Sequence, residues 1–115
     1  MEFTQAELDY IRSQPLARIG TASPKGKPDV AAVGFDLDGE YFYVSGRRNE
    51  VTLKYLNTKK NPRASLVIDD LASTRPWWPR GLKIFGDVDF VMRAGYAGEK
   101  EYLRILPTRK SSWGL

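Results

Sequence analysis

Residues 82–90 read LKIFGDVDF, and this stretch decides the fold class. From Leu82 to Phe90, every second position carries an apolar residue or glycine, and the positions between them are mostly charged. Successive side chains of a β-strand point to opposite faces, so the alternation predicts a long strand with one face turned inward.

Further strands are predicted on both sides of this stretch. The dipeptide Asp38-Gly39 indicates a tight hairpin turn, and apolar segments bounded by glycine or proline surround it. The additional predicted strands are 17–23, 28–37, 40–46, 63–70 and 102–106. Six short strands with few helices favour a mainly β fold, a six-stranded antiparallel barrel, because closure removes the unpaired strand edges that invite aggregation.

Two short helices accompany the predicted strands. Residues 4–7 read TQAE, a capping box that predicts a helix over 4–14. Asn49 is a suitable cap for a second helix over 50–60, which Pro62 would terminate. The first helix is expected to pack its apolar stripe, which includes Leu8 and Ile11, onto the sheet as scaffold.

Composition limits the class of protein. With 115 residues and 42% hydrophobic content, we expect a single domain over 1–115. The apolar runs are too short to cross a bilayer, and the first residues lack the basic and apolar regions of a secretory signal. We therefore expect a cytoplasmic protein without a membrane partner.

The chain contains neither cysteine nor histidine. Their absence removes thiolate nucleophiles, the commonest general base and the commonest zinc ligands. Chemistry in which a cofactor performs the difficult step, such as hydride transfer, needs neither residue. The net charge of +4 favours an anionic partner, which could be a phosphorylated cofactor, a nucleic acid or an acidic surface.

Residues 45–54 read SGRRNEVTLK and join the end of a predicted strand to the start of a helix. Amide donors and the positive dipole end at a helix start favour anions. Basic and hydroxyl side chains around this junction would add charge and donors for a phosphate: Arg47, Arg48, Thr52 and Lys54. An ordinary solvated basic turn fits the same residues equally well.

Four segments together resemble a known family. They are DVAAVGF at 29–35, TLK at 52–54, NPR at 61–63 and SWGL at 112–115. In this combination and order, the chain resembles the pyridoxamine 5'-phosphate oxidase-like superfamily and is especially similar to its small F420-dependent branch. The resemblance implies a split β-barrel homodimer with FMN or coenzyme F420 at the subunit interface, each cofactor held by both chains.

The resemblance also implies a cofactor site. Lys54 matches the lysine that holds the cofactor phosphate, and Thr52 matches a position where relatives carry arginine or threonine. Val51 departs from the pattern, because close relatives carry a basic residue there. The remaining implied contacts come from the phosphate loop, the strand beside the ring and the C-terminal segment: Ser45, Arg47, Arg48, Asn49, Val33, Gly34, Phe35, Arg109 and Trp113.

Residues 74–81 read TRPWWPRG and suggest a proline-rigidified loop that exposes Trp77 and Trp78. Large aromatic side chains flanked by arginines are typical of buried interface centres. We therefore favour a dimer interface or the cofactor mouth for Trp77, with packing of the loop on its own barrel as the alternative.

Three functions are compatible with these observations. The favoured one is an oxidoreductase that moves a hydride between FMN or F420 and a small organic acceptor, with no indispensable catalytic side chain. A non-catalytic flavin or F420 carrier is the second. A single-stranded nucleic-acid module is the third, although the basic residues gather at one helix start rather than along a strand face. The choice between FMN and F420, and the substrate, stay open.

Overall fold

The computed structural model describes residues 1–115, which form two α-helices, a 3-10 turn and seven strands. In chain order the elements are α1 (Gln5–Ser13), β1 (Ala17–Ala22), β2 (Pro28–Val33), β3 (Asp36–Asp38), β4 (Tyr41–Val44), the 3-10 turn (Asn49–Val51), α2 (Leu53–Lys60), β5 (Arg63–Thr74), β6 (Trp77–Gly95) and β7 (Gly98–Trp113). The fold is mainly β, as the alternating sequence pattern predicts.

The strands form one antiparallel sheet in the order β2-β1-β5-β6-β7-β4-β3. The prediction of six strands is wrong, because 28–37 contains two strands separated by Gly34 and Phe35. Since β2 pairs with β1 and β3 pairs with β4, this bend carries the chain from one end of the strand order to the other. The hydrogen-bonded order is open at β2 and β3, so the sheet does not close as the sequence suggested.

The last two strands are much longer than the sequence pattern indicates. β6 and β7 pair along almost their whole length, from Gly81 opposite Trp113 to Gly95 opposite Gly98. Residues 74–81 are therefore not a free loop, because Trp77 and Trp78 already belong to β6 and pair with β5. The C-terminal segment that includes Trp113 is likewise strand rather than tail.

The core lies between the inward face of the sheet and α1. Its fully buried members come from every long strand and include Ile19, Phe42, Leu66, Ile84 and Leu103. The inward side chains of 82–90 are those that the alternation predicts, from Leu82 through Val88. The pattern thus correctly assigned the two faces of β6.

Helix α1 begins with the predicted capping box. The Glu7 amide donates to Thr4 Oγ1 at 3.1 Å, and the Thr4 amide donates to Glu7 Oε1 at 2.9 Å. The helix buries Glu7, Tyr10 and Ile11 against the sheet. Lys110 of β7 donates to Glu7 Oε1 at 2.5 Å, so a charged pair fastens the helix to the last strand.

Helix α2 differs at its start from the prediction. Asn49 opens the 3-10 turn instead of capping α2, and Thr52 is the cap, with its hydroxyl accepting from the Tyr55 amide at 3.4 Å. No helix of the protein is long and apolar enough to cross a membrane.

Candidate functional site

Residues 45–49, which run from the end of β4 to the first residue of the 3-10 turn, are here called the 45–49 loop. Ser45 and Asn49 are buried at its two ends, whereas Arg47 and Arg48 are exposed between them. Helix α2 starts just beyond the turn, so the loop and the first residues of the helix form one junction, as the sequence predicted. Exposed guanidinium groups at this junction raise the local positive potential.

Lys54 is the unusual residue of this junction. Its side chain is 7% exposed, and its ammonium group makes no hydrogen bond or ion pair with the protein. Its Nζ lies 3.7 Å from the position that a Cβ on Gly46 would occupy. Burial lowers the pKa of Lys54, and the nearby Asp29 carboxylate offsets part of that effect. An anionic ligand would supply the missing partner and favour the charged form.

Asn49 contributes a second unsatisfied group. Its Nδ2 donates to the Glu101 carbonyl at 3.5 Å, while its Oδ1 is buried without any hydrogen-bond partner. A buried acceptor of this kind costs folding free energy unless a donor reaches it. An unpaired cation and an unpaired acceptor at one junction fit a phosphorylated, hydroxyl-rich molecule such as FMN or F420, which offers both an anion and donors.

Thr52 is placed at the junction but is already engaged. Its hydroxyl donates to the Asn49 carbonyl at 2.7 Å and accepts from the Tyr55 amide. A hydroxyl has a single proton to give, so in this arrangement Thr52 shapes the turn and caps α2. Ser45 is similarly engaged, because its hydroxyl donates to the Glu101 carbonyl at 2.8 Å.

Val33, Gly34 and Phe35 lie at the end of β2 and in the bend that follows it. Val33 is buried, and Phe35 packs against Phe42 with ring centroids 6.0 Å apart. Tyr96 occupies the space that a side chain at position 34 would need: a Cβ at Gly34 would lie 2.7 Å from Tyr96 Cε2. Tyr96 thus covers one side of the backbone at this bend.

Trp77, Arg109 and Trp113 lie at different positions along β6 and β7, outside the junction. Trp77 is 70% exposed, Trp113 packs across Gly81, and the Arg109 guanidinium lies 5.3 Å from the Phe85 ring. No hydrogen bond or ion pair connects these three side chains with the 45–49 loop. One chain by itself therefore does not bring all the predicted contacts together.

A cleft of about 680 Å³ lies on the outward face of the sheet beside Arg109. Asp29 lines the cleft, and the same carboxylate favours the charged form of Lys54. The cleft contains residues that sequence reasoning missed, among them Arg63, which makes no ion pair. Arg63 is the last residue of the NPR segment, but nothing in the local pattern shows that its strand borders a cleft.

Fold and site together define a small antiparallel β-protein whose strand-to-helix junction presents a buried, unpaired cation. The family model described as pyridoxamine 5'-phosphate oxidase matches residues 3–111. A 5a,11a-dehydrotetracycline/5a,11a-dehydrooxytetracycline reductase from Streptomyces rimosus is 31% identical over 121 residues, covering 100% of this chain and 85% of the relative. The chain belongs to the pyridoxamine 5'-phosphate oxidase family.

Solved structures show the same fold. The Mycobacterium tuberculosis protein Rv2991 has a TM-score of 0.78 at 18% identity, and the match covers 99% of this chain and 86% of that one. A structure named F420 reductase has a TM-score of 0.66 at 24% identity, with 85% of this chain and 90% of that one covered. The resemblance given by the four sequence segments is thereby confirmed.

Proposed function

We propose that this protein is an oxidoreductase that binds FMN or coenzyme F420 and transfers a hydride between that cofactor and a small organic acceptor. The observation that carries the proposal is the buried ammonium group of Lys54, which forms no hydrogen bond or ion pair with the protein. Burying an unpaired charge is costly, and a bound phosphate would remove that cost. The reductase name of the 31% identical relative supports reduction as the reaction type.

Within this function the protein binds the cofactor and orients it relative to the acceptor. When bound, the reduced cofactor supplies the hydride, and a proton from solvent completes the reduction of the acceptor. Lys54, Asn49 and the guanidinium groups of Arg47 and Arg48 would hold the phosphate and the hydroxyl-bearing chain. The backbone bend of Val33, Gly34 and Phe35 would lie beside the ring. No side chain of the junction needs to exchange a proton during turnover.

The junction accepts the phosphate of either cofactor. F420 also carries acidic groups beyond its phosphate, which a chain of net charge +4 with exposed Arg47 and Arg48 would attract. The structure named F420 reductase, which shares this fold, also supports F420. We therefore propose F420 as the first cofactor to test and FMN as the second.

The test is a titration of the purified protein with FMN and with F420, followed through tryptophan fluorescence and cofactor absorption. Steady-state reduction of an activated enone and of a quinone is then measured with each reduced cofactor. We expect saturable binding of at least one cofactor and turnover with it. Binding without turnover of any acceptor would favour a cofactor carrier, and absence of binding by both cofactors would refute the proposal.

A further inference from the structure

The end of the β6–β7 hairpin, residues 93–101 and here called the hairpin end, folds over the 45–49 loop. The Tyr96 hydroxyl donates to the Ser45 carbonyl at 2.7 Å and accepts from the Ser45 amide at 2.8 Å. One side chain thus satisfies both peptide groups of Ser45, which lies just beyond the end of β4. Burial raises the pKa of Tyr96, so the hydroxyl keeps the proton that it donates.

The ring of Tyr96 also touches the second predicted segment of the site. It fills the space beside Gly34, where an added Cβ would lie 2.7 Å from Cε2. The Tyr96 amide donates to Asp36 Oδ2 at 2.8 Å, and Arg93 donates to the same oxygen at 3.0 Å. Tyr96 is therefore held at its backbone while its side chain bridges the bend at Gly34 and the 45–49 loop.

Two further contacts join the hairpin end to the same loop. Lys100 Nζ donates to the Gly46 carbonyl at 2.8 Å, and the Ser45 hydroxyl donates to the Glu101 carbonyl at 2.8 Å. Both contacts fix the loop from the side of β7. Because Gly46 is the residue beside the Lys54 ammonium, the hairpin end determines the shape of the space around that cation.

We infer that Tyr96 is a positioning residue, which holds the 45–49 loop in the arrangement that receives the cofactor phosphate. The inference rests on the proposed function. A loop that is ordered before binding loses less conformational entropy when the ligand arrives, so releasing the loop weakens binding. Tyr96 itself need not touch the cofactor for this effect.

The test compares Tyr96→Phe with Tyr102→Phe. Tyr102 is the matched control, because its hydroxyl also plays two roles, accepting from the Ala97 amide at 2.9 Å and donating to the Gly98 carbonyl at 2.7 Å. Those bonds join Tyr102 to the turn of the hairpin end and do not reach the loop. Tyr96 is 41% exposed, and phenylalanine keeps the ring beside Gly34, so the Tyr96→Phe variant is expected to fold.

The first measurement is hydrogen exchange of the Ser45 amide without cofactor, which reports the contact directly. We expect protection in the wild type and in Tyr102→Phe, and fast exchange in Tyr96→Phe. The second is the cofactor dissociation constant, which we expect to rise roughly tenfold in Tyr96→Phe and much less in Tyr102→Phe. At saturating cofactor, kcat should return to the wild-type value, since only the loop's order is lost.

Lys100→Met supplies a second variant that removes a different contact to the same loop. It should weaken cofactor binding as Tyr96→Phe does, while the Ser45 amide keeps its hydrogen bond to the Tyr96 hydroxyl. A wild type that binds cofactor together with a Tyr96→Phe variant of unchanged affinity would overturn the inference alone. A wild type that binds neither FMN nor F420 would overturn the proposed function and this inference with it.

Discussion

At the scale of single residues, the charge of Lys54 favours cofactor binding but lowers the stability of the cofactor-free protein. Its ammonium group is buried without a partner, and burial lowers its pKa. In the cofactor-free protein this charge is therefore a cost, and the cost shrinks as the pH rises through the lowered pKa. The same charge is the group that a phosphate would find most favourable.

We predict that Lys54→Met raises the thermal midpoint of the cofactor-free protein and weakens cofactor binding about ten- to a hundredfold, the range for a charge-assisted contact of roughly 1.5–3 kcal/mol. Methionine keeps most of the chain volume and removes the charge. Calorimetry with and without cofactor measures both effects, because a ligand that binds only the folded state raises its midpoint. Lys60→Met, at an exposed position of the same helix, is the control. A less stable Lys54→Met protein would contradict this account.

A second residue-scale prediction concerns Gly86 in β6. An added Cβ there would lie 2.6 Å from the Leu106 carbonyl oxygen, and that backbone cannot withdraw because β7 is paired on this side. We expect Gly86→Ala to lower the free energy of unfolding by about 1–3 kcal/mol in urea denaturation. Gly20→Ala is the control, since its Cβ would meet only the Ser65 hydroxyl, which can rotate away. Equal losses in both variants would be inconsistent with a backbone clash at Gly86.

At the scale of elements, the charged pair of Glu7 and Lys110 joins α1 to β7. Burial by itself would raise the pKa of Glu7, but hydrogen bonds from Lys110, Thr4 and Ser112 outweigh it and lower the pKa. A carboxylate with a lowered folded-state pKa contributes stability above its unfolded pKa, about 4.3, and loses it as the pH falls through the folded value. The Glu7–Lys110 pair therefore stabilises the packing of α1 on β7 at neutral pH and loses this effect in acid.

We expect Glu7→Gln to lower the free energy of unfolding by roughly 1.5–3 kcal/mol at neutral pH, because a buried charged hydrogen bond is lost. Below about pH 4.3 the wild type loses this contribution and the variant does not, so the two stabilities should converge. Denaturant titrations from pH 7 to pH 3 measure the difference. Glu2→Gln, at an exposed position, should leave it unchanged. A constant gap across this range would show that Glu7 does not titrate as proposed.

Elements that bury one face were predictable from the sequence, and those stabilised by pairing alone were not. The alternation over 82–90 assigns the faces of β6 because its inward side chains enter the core. Beyond Val91 both faces of the β6–β7 ribbon are partly exposed, so no alternation marks the end of either strand. The break at Gly34 has the same cause: β2 and β3 bond to different partners, which a local pattern cannot show.

In the candidate site, likewise, local features were predictable from the sequence and long-range contacts were not. The 45–49 loop and Lys54 follow from the local run of residues between a strand and a helix. Tyr96 could not be found in this way, because its contact with Ser45 joins positions 51 residues apart. The cap at Thr52 in place of Asn49 was missed because a 3-10 turn precedes the helix and uses Asn49 first.

At the scale of the whole molecule, the outward face of β6 and β7 exposes several large aromatic side chains among its charged residues. Phe85 and Gly81 share this face, and Trp113 opposite Gly81 lies on it as well. Phe85 is 40% exposed and Trp113 is 38% exposed, while Trp77 near the strand's start is 70% exposed. Clustered exposed aromatic side chains mark association surfaces.

Association through this face would bring together predicted cofactor contacts that one chain leaves apart. Arg109, Trp113 and Trp77 lie on β6 and β7 without a hydrogen bond or ion pair to the 45–49 loop. If two chains associate through this face, one chain's Trp113 and Arg109 can approach the junction of the other. The family resemblance implies such sharing of each cofactor by two chains.

We therefore predict a homodimer at micromolar concentration, which sedimentation would report as twice the 13.0 kDa mass of the chain. Phe85→Glu replaces an exposed ring of the face with a hydrated carboxylate and should yield a monomer with weakened cofactor binding, because the aromatic contact is lost and the carboxylate would have to give up water. Met92→Glu adds the same charge at a position of β6 that is 68% exposed, outside the aromatic cluster, and should remain dimeric. A 13.0 kDa species in the wild type with cofactor bound would exclude a site shared between chains. A dimer that survives Phe85→Glu would place the interface on another face.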